Sequence, residues 1–574
     1  MADLVIRGGK VVDGTGRAAF GADVAIEGDR ISAVGRVDAR GAREIDAGGR
    51  LVTPGWVDIH THYDGQATWD SLLAPSSLHG VTSVVMGNCG VGFAPARPGP
   101  AEHDFLIALM EGVEDIPGTA LHEGLAWNWE SLPEYFDAVA RRPHTLDLGA
   151  QVPHAALRAY VMGERGGDHA QAPTADEIAQ MAELTREALV AGALGFATSR
   201  TQNHRSRTGQ RIGSLTATAD EILGIAGGLR AAGRGVLQFV SDFGDLDAEL
   251  GLMKAAAERA GRPISVSLAQ ADAAPDRWRE VLAWIERANA DGVDMKAQTP
   301  ARAIGLFLGL EGSMNPFARC ASYRAIATLP IAERAARMRA PEVRARILSE
   351  AASVSAGPPG MIAGALGRLF QLGDPPDYEP APETSLGAES ARSGVPALEL
   401  VYDALLEREG RGLLYLPFLN YAGGSLDATR EMLLSERTLP GLSDGGAHVS
   451  FICDASFPTF LLTHWCRDRR RGEKLPLEFV VRRQTRDTAR HVGWLDRGVI
   501  APGYLADLNV IDFDALTLRA PTIVRDLPAG GIRLMQRAEG YDYTVKRGVV
   551  TFASGESTGA LPGELVRGAQ LAPT

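Results

Sequence analysis

The chain has 574 residues, 45% of them hydrophobic, so it is long enough for two or more domains and can bury a large core. Its 58 basic and 71 acidic residues give a net charge of -13, which argues against a nucleic-acid or anionic-membrane partner because no phosphate-neutralising excess exists. No apolar run of about 18 residues occurs, and no charged apolar leader opens the sequence, so we expect a cytoplasmic location.

Both ends of the chain carry short alternating strands separated by glycine turns. This pattern covers residues 3 to 53 and returns at 501 to 514 and 543 to 556. We therefore predict one small β-sandwich domain assembled from both termini, residues 1–54 plus 494–574, with the rest of the chain inserted between them.

Residues 55–493 alternate apolar strands with amphipathic or alanine-rich helices, such as those predicted at 174–192 and 248–261. This rhythm favours a (β/α)8 TIM-like barrel. An open doubly wound sheet fits the alternation nearly as well, but no GxGxxG motif follows a first strand. The predicted strands are WVDI, TSVVMG, TLDLGA, GALGFATS, GVLQFV, PISVSL, VDMKAQ and RTLPGLSD.

One segment, at about 310–395, breaks this rhythm with many prolines and glycines, including the stretch SAGPPGMIAGALG. Its length and composition predict a loop-rich insertion over the barrel, with a lid as its suggested role. A disordered linker is the less favoured alternative because apolar anchors are present at Phe317, Tyr323, Leu369, Phe370 and Tyr378.

The stretch GWVDIHTHYDGQATWD, residues 55–70, holds the first candidate functional residues. His60 and His62 are two residues apart at the end of an apolar run, so in an extended strand both imidazoles point to one side. Two such imidazoles form half of a divalent-metal site. The alternative is an accidental His-Thr-His in a loop.

Active sites of (β/α)8 barrels lie at the carboxyl ends of the strands, so the residues that follow each predicted strand are the next candidates. Cys89 follows the second strand, and its thiol is either a soft metal ligand or a buried structural group. Asp444 follows the last strand, where a carboxylate can bind metal, act as general acid and base, or do both. His448 either orients substrate and stabilises an oxyanion or is an ordinary loop histidine.

These motifs resemble the amidohydrolase superfamily and, within it, the N-acyl-D-amino-acid deacylases, also called D-aminoacylases. The matching stretches are PGWVDIHTH, GNCGVGFAP, SDGGAH, WLDRGVIAPGYLADLNVIDFD and TVKRGVVTFASGESTGALPGELV. The resemblance implies a zinc enzyme in which His60, His62 and Asp444 hold one metal and Cys89 ligates a neighbouring, tighter site. It also implies that metal-activated water attacks an amide carbonyl, with Asp444 as general acid and base.

Two further histidines of that family, at the ends of the fifth and sixth strands, are missing. The corresponding stretches read GVLQFVSDFGD and ISVSLAQADA, which offer only oxygen donors in place of imidazoles. The residues at or near those places are Gln238, Ser241, Asp242, Gln270 and Asp272. We therefore expect one zinc ion, held by His60, His62 and Asp444, rather than two.

The cationic clamp that these relatives use for the substrate carboxylate is also not visible. Other cations could replace it, namely Lys296 in VDMKAQ, or Arg200, Arg205 and Arg207 in the stretch that contains His204. A solvated basic loop is the alternative for that stretch. His154, which follows the third predicted strand, is a further candidate for contact with substrate or support of the site.

The leading hypothesis is a metal-dependent hydrolase of amide C–N bonds that acts on a small molecule, with a substrate other than a simple N-acyl-D-amino acid. A cyclic-amide hydrolase resembling hydantoinases or imidases is the enzymatic alternative. A non-catalytic scaffold of the same shape is the alternative from another class, and the two missing histidines favour it. A homo-oligomer is compatible with the sequence, which does not determine the oligomeric state.

Overall fold

Eight parallel strands form the central sheet of the computed structural model, which describes residues 2–353 and 364–574. These barrel strands are, in chain order, Trp56–Asp58, Val81–Met86, Asp147–Pro153, Gly195–Arg200, Val236–Ser241, Ile264–Ser267, Met295–Thr299 and Thr438–Pro440. Neighbours in the sheet are neighbours in this order, and a parallel bridge between Thr61 and Gly445 brings the ends of the first and eighth strands together. The predicted (β/α)8 barrel is confirmed, and each strand overlaps one of the eight predicted ones.

The composition of the barrel strands follows from their double burial. All six residues of Val81–Met86 are buried, because this strand has a parallel neighbour on each side and is covered on both faces. A strand covered on both faces is a continuous apolar run rather than an alternating one. This is why the barrel strands could be recognised in the sequence.

Helices follow most of the barrel strands. The helix Ala175–Ala191 begins at a capping box, in which Thr174 Oγ1 accepts from Glu177 N–H while the Glu177 carboxylate accepts from Thr174 N–H, and it ends at Gly192. It confirms the helix predicted at 174–192, and Leu246–Ala260 confirms the one predicted at 248–261. The α-helices outside the insertion described below are Pro100–Glu114, Gly118–Gly124, Leu132–Ala140, His154–Met162, Ala175–Ala191, Ala219–Ala232, Leu246–Ala260, Arg277–Ala290, Asp427–Leu434, Phe457–Phe460, Leu477–Arg482 and Thr488–His491.

Shorter or wider helical turns fill several connections. The 3-10 turns are Gln66–Thr68, Ser76–His79, Asn88–Gly90, Gly163–Gly167, Leu366–Arg368, Pro382–Thr384, Ala422–Gly424 and Pro528–Gly530, and the π-helical segments are Leu461–Asp468 and Arg483–Asp487. Among the described residues, no helix combines the length and apolar character needed to cross a membrane.

The second sheet has nine strands and is built from both ends of the chain, as predicted. Its strands are Ala2–Val11, Phe20–Glu27, Arg30–Gly35, Gly41–Asp46, Leu51–Pro54, Leu508–Ile511, Tyr541–Lys546, Val549–Ala553 and Glu556–Ser557. Leu51–Pro54 pairs with Leu508–Ile511, so the two ends of the chain join inside one sheet. Side chains from both, including Ile6, Val52, Leu508 and Val545, share one core. Two small hairpins pair Thr517–Leu518 with Ala538–Glu539 and Thr522–Leu527 with Gly531–Met535.

An insertion separates the seventh and eighth barrel strands, and we use this name for residues 304–419. Its strands are Ile304–Leu308, Phe370–Gln371 and Leu414–Leu419, and its helices are Ala321–Arg324, Ile331–Met338, Pro341–Ala352, Leu386–Ser393 and Ala397–Gly410. These elements enclose a hydrophobic core of their own, which includes Phe317, Tyr323 and Leu369. The insertion is therefore longer and more regular than the loop-rich stretch expected at 310–395. Most of the predicted SAGPPGMIAGALG loop lies outside the described residues.

Candidate active site

The chain segments that follow the first and eighth barrel strands run side by side. Asp444 N–H donates to the His60 carbonyl at 3.2 Å, and His62 N–H donates to the Gly445 carbonyl at 2.8 Å. This backbone pairing places the Asp444 carboxylate beside the two imidazoles, although the residues are almost 400 positions apart in the sequence. The site is thus at the carboxyl ends of the barrel strands, where the sequence placed it.

Four donor atoms converge at this point. Nε2 of His60 lies 3.3 Å from Sγ of Cys89 and 3.5 Å from Oδ1 of Asp444. Nε2 of His62 lies 3.6 Å from the same Asp444 oxygen. Ligands of a tetrahedral zinc ion, at bond lengths of about 2.0–2.3 Å, lie roughly 3.3–3.8 Å from one another. The spacing of these donors is therefore that of a single metal site, and a buried group of His60, His62 and Cys89 could hold an ion.

Several buried polar atoms around this point have no hydrogen-bond partner among the described residues. They are both ring nitrogens of His62, Oδ1 of Asp444, Oε1 of Glu114 and Nδ1 of His448. Buried polar atoms are almost always paired, since leaving one unpaired costs about 1–3 kcal/mol. Their grouping fits a site that binds a cation, because most of these atoms are imidazole or carboxylate donors.

Burial keeps the imidazoles of the site neutral. It lowers the pKa of His60 to about 4 and that of His62 to about 3. The pKa of His448 is also lowered by burial, to about 4, against the opposing effect of Asp444. Neutral imidazoles have a free lone pair, which metal binding requires.

The acidic groups of the site respond to burial in the opposite direction. Burial raises the pKa of the Cys89 thiol well above its usual range, and the nearby carboxylates of Glu114 and Asp444 raise it further. Burial likewise raises the pKa of Glu114 well above its usual range and that of Asp64 to about 7. A bound divalent cation reverses this effect by favouring the thiolate and the carboxylates.

A turn in unusual backbone geometry presents the Cys89 thiol. Cys89 has a positive φ of 56°, and Gly90, with φ of 71°, lies against the fourth barrel strand. A Cβ atom at Gly90 would lie 2.9 Å from Cα of Thr198, so only glycine fits there.

The fifth and sixth strands supply no imidazole, as the sequence predicted. Gln238 takes the place next to Cys89, where its Oε1 accepts from Cys89 N–H at 3.1 Å and its Nε2 donates to Ser267 Oγ at 3.3 Å. The other oxygen donors considered for these places are engaged elsewhere: Ser241 with Glu249, Asp242 with Thr201 and Gln202, Gln270 with the N–H of Ala422, and Asp272 with Arg368.

The seventh strand contributes Gln298 rather than the predicted Lys296. Oε1 of Gln298 lies 2.7 Å from Nδ1 of His60, so it can accept the proton of that nitrogen. Lys296 lies two residues nearer the start of the strand, where it influences the pKa values of Glu436 and His491 instead. Lys296 thus lies nearer the opposite end of the barrel from the metal donors, and its role in substrate binding stays a prediction. Gln298 is the last residue of the predicted strand VDMKAQ, so its position could have identified it as a candidate site residue.

His154 and Arg200 lie near strand ends but bind other protein groups. His154 is fully buried, with Nδ1 2.7 Å from Thr198 Oγ1 and Nε2 3.0 Å from Glu221 Oε1. Arg200 makes a two-bond ion pair with Glu249, both distances being 2.8 Å, and also donates to a backbone carbonyl. The hydrogen bonds of both side chains go to other protein groups, and their contact with substrate stays a prediction.

His204 and His448 do lie beside this group of donor atoms. Nδ1 of His204 is 2.8 Å from Ser199 Oγ, and burial lowers its pKa to about 3, with smaller contributions from the nearby imidazoles of the site. His448 N–H donates to the Glu114 carbonyl, and His448 Nε2 lies 3.6 Å from Glu114 Oε2. Sequence reasoning missed Glu114, which ends the helix Pro100–Glu114 and follows no barrel strand directly.

The chain is similar to known proteins in sequence and in fold. Over 197 residues the chain is 35% identical to the D-aminoacylase and 40% identical to the N-acyl-D-glutamate deacylase of Alcaligenes xylosoxydans xylosoxydans, in each case 34% of this chain and 37% of the relative. The match thus spans a little over a third of the length of these curated relatives. A solved D-aminoacylase structure, described for the functional role of its binuclear metal centre, is 25% identical with a TM-score of 0.65 and covers 99% of this chain and 100% of that one.

A second solved structure supports the fold. The N-acyl-D-glutamate deacylase of Bordetella bronchiseptica, complexed with zinc and a phosphonate inhibitor, is 24% identical with a TM-score of 0.63, and the match covers 99% of each chain. The sequence profile of the amidohydrolase family matches residues 43–552, which is most of the chain and includes the complete barrel. This protein therefore belongs to the amidohydrolase family, as its sequence motifs predicted.

Proposed function

We propose that this protein is a metal-dependent hydrolase of amide C–N bonds in small molecules. The names of its relatives make N-acyl-D-amino acids the substrate class to test first, in place of the different substrate expected from the sequence. The observation that carries the proposal is the convergence of His60, His62, Cys89 and Asp444 on one point at the carboxyl ends of the barrel strands. The named activities of the D-aminoacylase and deacylase relatives support the substrate class.

Zinc is the metal that best fits these donors. Imidazole, thiolate and carboxylate are its usual protein ligands, whereas magnesium and calcium prefer oxygen. One ion per chain is the proposed stoichiometry, because Gln238 and Ser267 supply only neutral oxygen atoms on the far side of Cys89 and are hydrogen-bonded to each other. When bound, zinc acts as a Lewis acid that polarises a carbonyl oxygen and makes water more acidic.

Asp444 is the residue proposed to move the proton. Its Oδ1 atom is buried without a hydrogen-bond partner among the described residues and faces His60 and His62. The backbone holds this carboxylate in place, since Asp444 has a positive φ of 49° and its N–H donates to the His60 carbonyl. A carboxylate fixed in this way can take a proton from water and return it to the leaving nitrogen.

His448 and His204 are proposed to contact the substrate. Both imidazoles are neutral at ordinary pH because burial lowers their pKa values, to about 4 and about 3. A neutral imidazole can donate one hydrogen bond to an oxygen that gains negative charge during the reaction. The side chain of His448 is 22% exposed, more than that of Asp444 at 14%, which suits a position nearer the entrance.

Three further features remain proposals from the sequence. They are the domain bounds of 1–54 with 494–574 and of 55–493, the cytoplasmic location, and the homo-oligomeric state. The role of the insertion as a lid also remains a proposal, supported by its place between the seventh and eighth barrel strands, whose ends carry Gln298 and Asp444.

The experiment combines metal analysis with a substrate panel. Protein purified without chelators should contain about one zinc ion per chain and should hydrolyse members of a panel of N-acyl-D-amino acids. Asp444→Asn should lower kcat by about 10²–10⁴-fold, the usual contribution of a general acid and base. The matched control Asp291→Asn changes a surface carboxylate that pairs with Lys254, and it should leave kcat unchanged.

Four results would contradict the proposal in different ways. Metal-free protein that cannot be loaded would favour the non-catalytic scaffold. Hydrolysis of cyclic amides alone would replace the substrate class, and an unchanged rate in Asp444→Asn would remove the proton-transfer role. Equal rates on D and L substrates would remove the stereochemical part of the proposal and leave the amide chemistry.

A further inference from the structure

Each of the two imidazoles that face the proposed metal position has an oxygen atom near its other ring nitrogen. His60 and His62 direct Nε2 toward Oδ1 of Asp444, at 3.5 and 3.6 Å. Behind them, Nδ1 of His60 lies 2.7 Å from Oε1 of Gln298, and Nδ1 of His62 lies 3.4 Å from Oε1 of Glu114. An oxygen atom thus lies behind each ring: the amide oxygen of Gln298 is hydrogen-bonded to His60, whereas the carboxylate of Glu114 is near His62 without a hydrogen bond.

An oxygen atom behind a metal-binding imidazole has a chemical consequence. A neutral imidazole carries one proton, and only the nitrogen without it can bind metal. An acceptor at Nδ1 keeps the proton there, fixes the orientation of the ring and makes Nε2 a stronger ligand. Gln298 supplies this acceptor to His60.

Glu114 is placed to do the same for His62. Its side chain is buried, and neither its Oε1 nor either nitrogen of His62 has a hydrogen-bond partner among the described residues. Within residues 2–353 and 364–574, Glu114 forms no ion pair with a lysine or an arginine. Its ion-pair contacts are with His62 and His448. A buried carboxylate without a cation or a full set of donors is costly, so a purely structural role does not explain it.

The same residue also holds His448. The Glu114 carbonyl accepts from His448 N–H, and its Oε2 atom lies 3.6 Å from His448 Nε2. The end of one helix thus contacts both a metal ligand and a proposed substrate contact. A direct metal-ligand role is less consistent with the geometry, because Glu114 approaches His62 at Nδ1 whereas Asp444 approaches it at Nε2.

We propose that Glu114 is a positioning residue, whose carboxylate accepts the Nδ1 proton of His62 and thereby keeps Nε2 free to bind metal. The inference rests on the proposed zinc site. It adds to that site a residue that lies outside the barrel strands, and it makes the helix Pro100–Glu114 part of the machinery.

The test compares two substitutions with different hydrogen-bonding capacity. Zinc affinity is measured by competition with a chromophoric chelator for the wild type, Glu114→Gln and Glu114→Leu. The leucine variant has no acceptor and should bind zinc about 10–100-fold more weakly, with one ion still bound at saturation. The glutamine variant should stay close to the wild type, because an amide oxygen already performs this role at His60. Glu111→Gln, on the same helix but paired with Arg207, should change nothing.

Other results separate this inference from the proposed function. A wild type that binds no zinc would refute the proposed function first. A wild type that binds zinc, with a leucine variant that binds it equally well, would overturn only the role of Glu114. Equal losses in both variants, with less than one ion bound at saturation, would make Glu114 a direct ligand instead.

A measurement on the unmodified protein guards against a leucine variant that fails to fold. Nitrogen-15 NMR of the zinc-loaded wild type, in which the bound cation favours the ionised form of Glu114, reports which ring nitrogen of His62 carries the proton. The proposal expects the proton on Nδ1. A proton on Nε2 would overturn it without any substitution.

Discussion

The Cys89 thiol lies 3.3 Å from Nε2 of His60, the atom that also faces Asp444. The backbone N–H of Cys89 donates a hydrogen bond to Oε1 of Gln238 at 3.1 Å. A residue of the fifth barrel strand thus fixes the position of the turn that carries Cys89. The family resemblance implied that Cys89 serves a neighbouring ion. Here its nearest donor is an imidazole of the His60 and His62 pair, which favours a shared ion.

The substitution Cys89→Ser tests whether Cys89 binds the same metal ion as His60 and His62. Serine is a weaker zinc ligand than a thiolate, so loss of one donor in a single site should weaken zinc binding at least about tenfold, equivalent to about 1.4 kcal/mol. The cobalt-loaded wild type should also show a thiolate-to-metal absorption band that the variant lacks. Chelator competition and absorption spectra provide the two measurements.

Cys466→Ser is the matched control for this experiment. Cys466 lies in the π-helical segment Leu461–Asp468, where its thiol donates to the Leu461 carbonyl. Its substitution by serine should leave metal affinity unchanged. Wild-type affinity in Cys89→Ser, with the absorption band absent from both proteins, would show that the thiol is not a ligand.

Among individual residues, the sequence identified candidate site residues that follow barrel strands and missed a site residue that lies elsewhere. His60, His62, Cys89 and Asp444 were predictable because each follows an apolar run directly. Glu114 ends a helix, and its contact with His62 depends on a backbone pairing with His448 that no local pattern encodes. The ion pair of Arg200 with Glu249 could not be foreseen either, because the two residues are distant in the sequence.

The insertion is joined to the barrel by a buried ion pair. Glu379, from the insertion, bonds to Arg469 through both carboxylate oxygens, at 2.9 and 3.0 Å, and to His464 Nε2 at 3.0 Å. The side chains of Glu379 and Arg469 are at most 2% exposed. Burial alone would raise the pKa of Glu379, but hydrogen bonds from His464, Arg469 and Leu426 N–H lower it to about 2.

The docking of the insertion should therefore depend on pH. Because the pKa of Glu379 is lower in the folded protein than the usual value of about 4.3, its stabilising effect is complete above that value and is lost as the pH falls toward 2. Glu379→Gln should remove it at neutral pH, costing up to about 3 kcal/mol, since the buried Arg469 then keeps only the exposed carboxylate of Asp427 as a counter-charge. Hydrogen exchange of the described residues 304–353 and 364–419 measures the loosening.

Glu383→Gln is the control, because Glu383 is exposed and only four residues away. It should leave exchange in the insertion unchanged at every pH. Equal exchange rates in Glu379→Gln and the wild type at pH 7 would show that the ion pair does not hold the insertion in place.

The elements of the barrel were easier to predict than the insertion. Parallel strands buried on both faces are continuous apolar runs, and two helices were predicted from their amphipathic or alanine-rich sequences. The insertion was expected to be loop-rich because its prolines and glycines are frequent, yet its helices pack on residues such as Leu308 and Leu416 from its own strands. Such long-range packing is not visible in local composition.

At the scale of the whole molecule, a buried charge cluster joins the barrel to the terminal sheet. Asp147, at the start of the third barrel strand, lies 2.7 Å from Arg497 and 2.8 Å from Lys546, and all three side chains are at most 1% exposed. Lys546 ends a strand of the terminal sheet and also pairs with Asp507 at 2.7 Å. Residues almost 400 positions apart thus neutralise one another at the boundary between the two sheets.

Asp147→Asn should weaken this boundary strongly. Burial would raise the pKa of Asp147, but Lys546, Arg497 and Arg547 outweigh it and hold that pKa below its usual range, so its stabilisation is present at neutral pH and lost in acid. The variant leaves buried cations short of counter-charge and should lose about 3–5 kcal/mol in urea unfolding at pH 7, with a smaller loss below about pH 4. Asp137→Asn, a 60% exposed partner of Arg567, should change little. Equal unfolding midpoints for Asp147→Asn and the wild type would mean that apolar packing alone joins the two sheets.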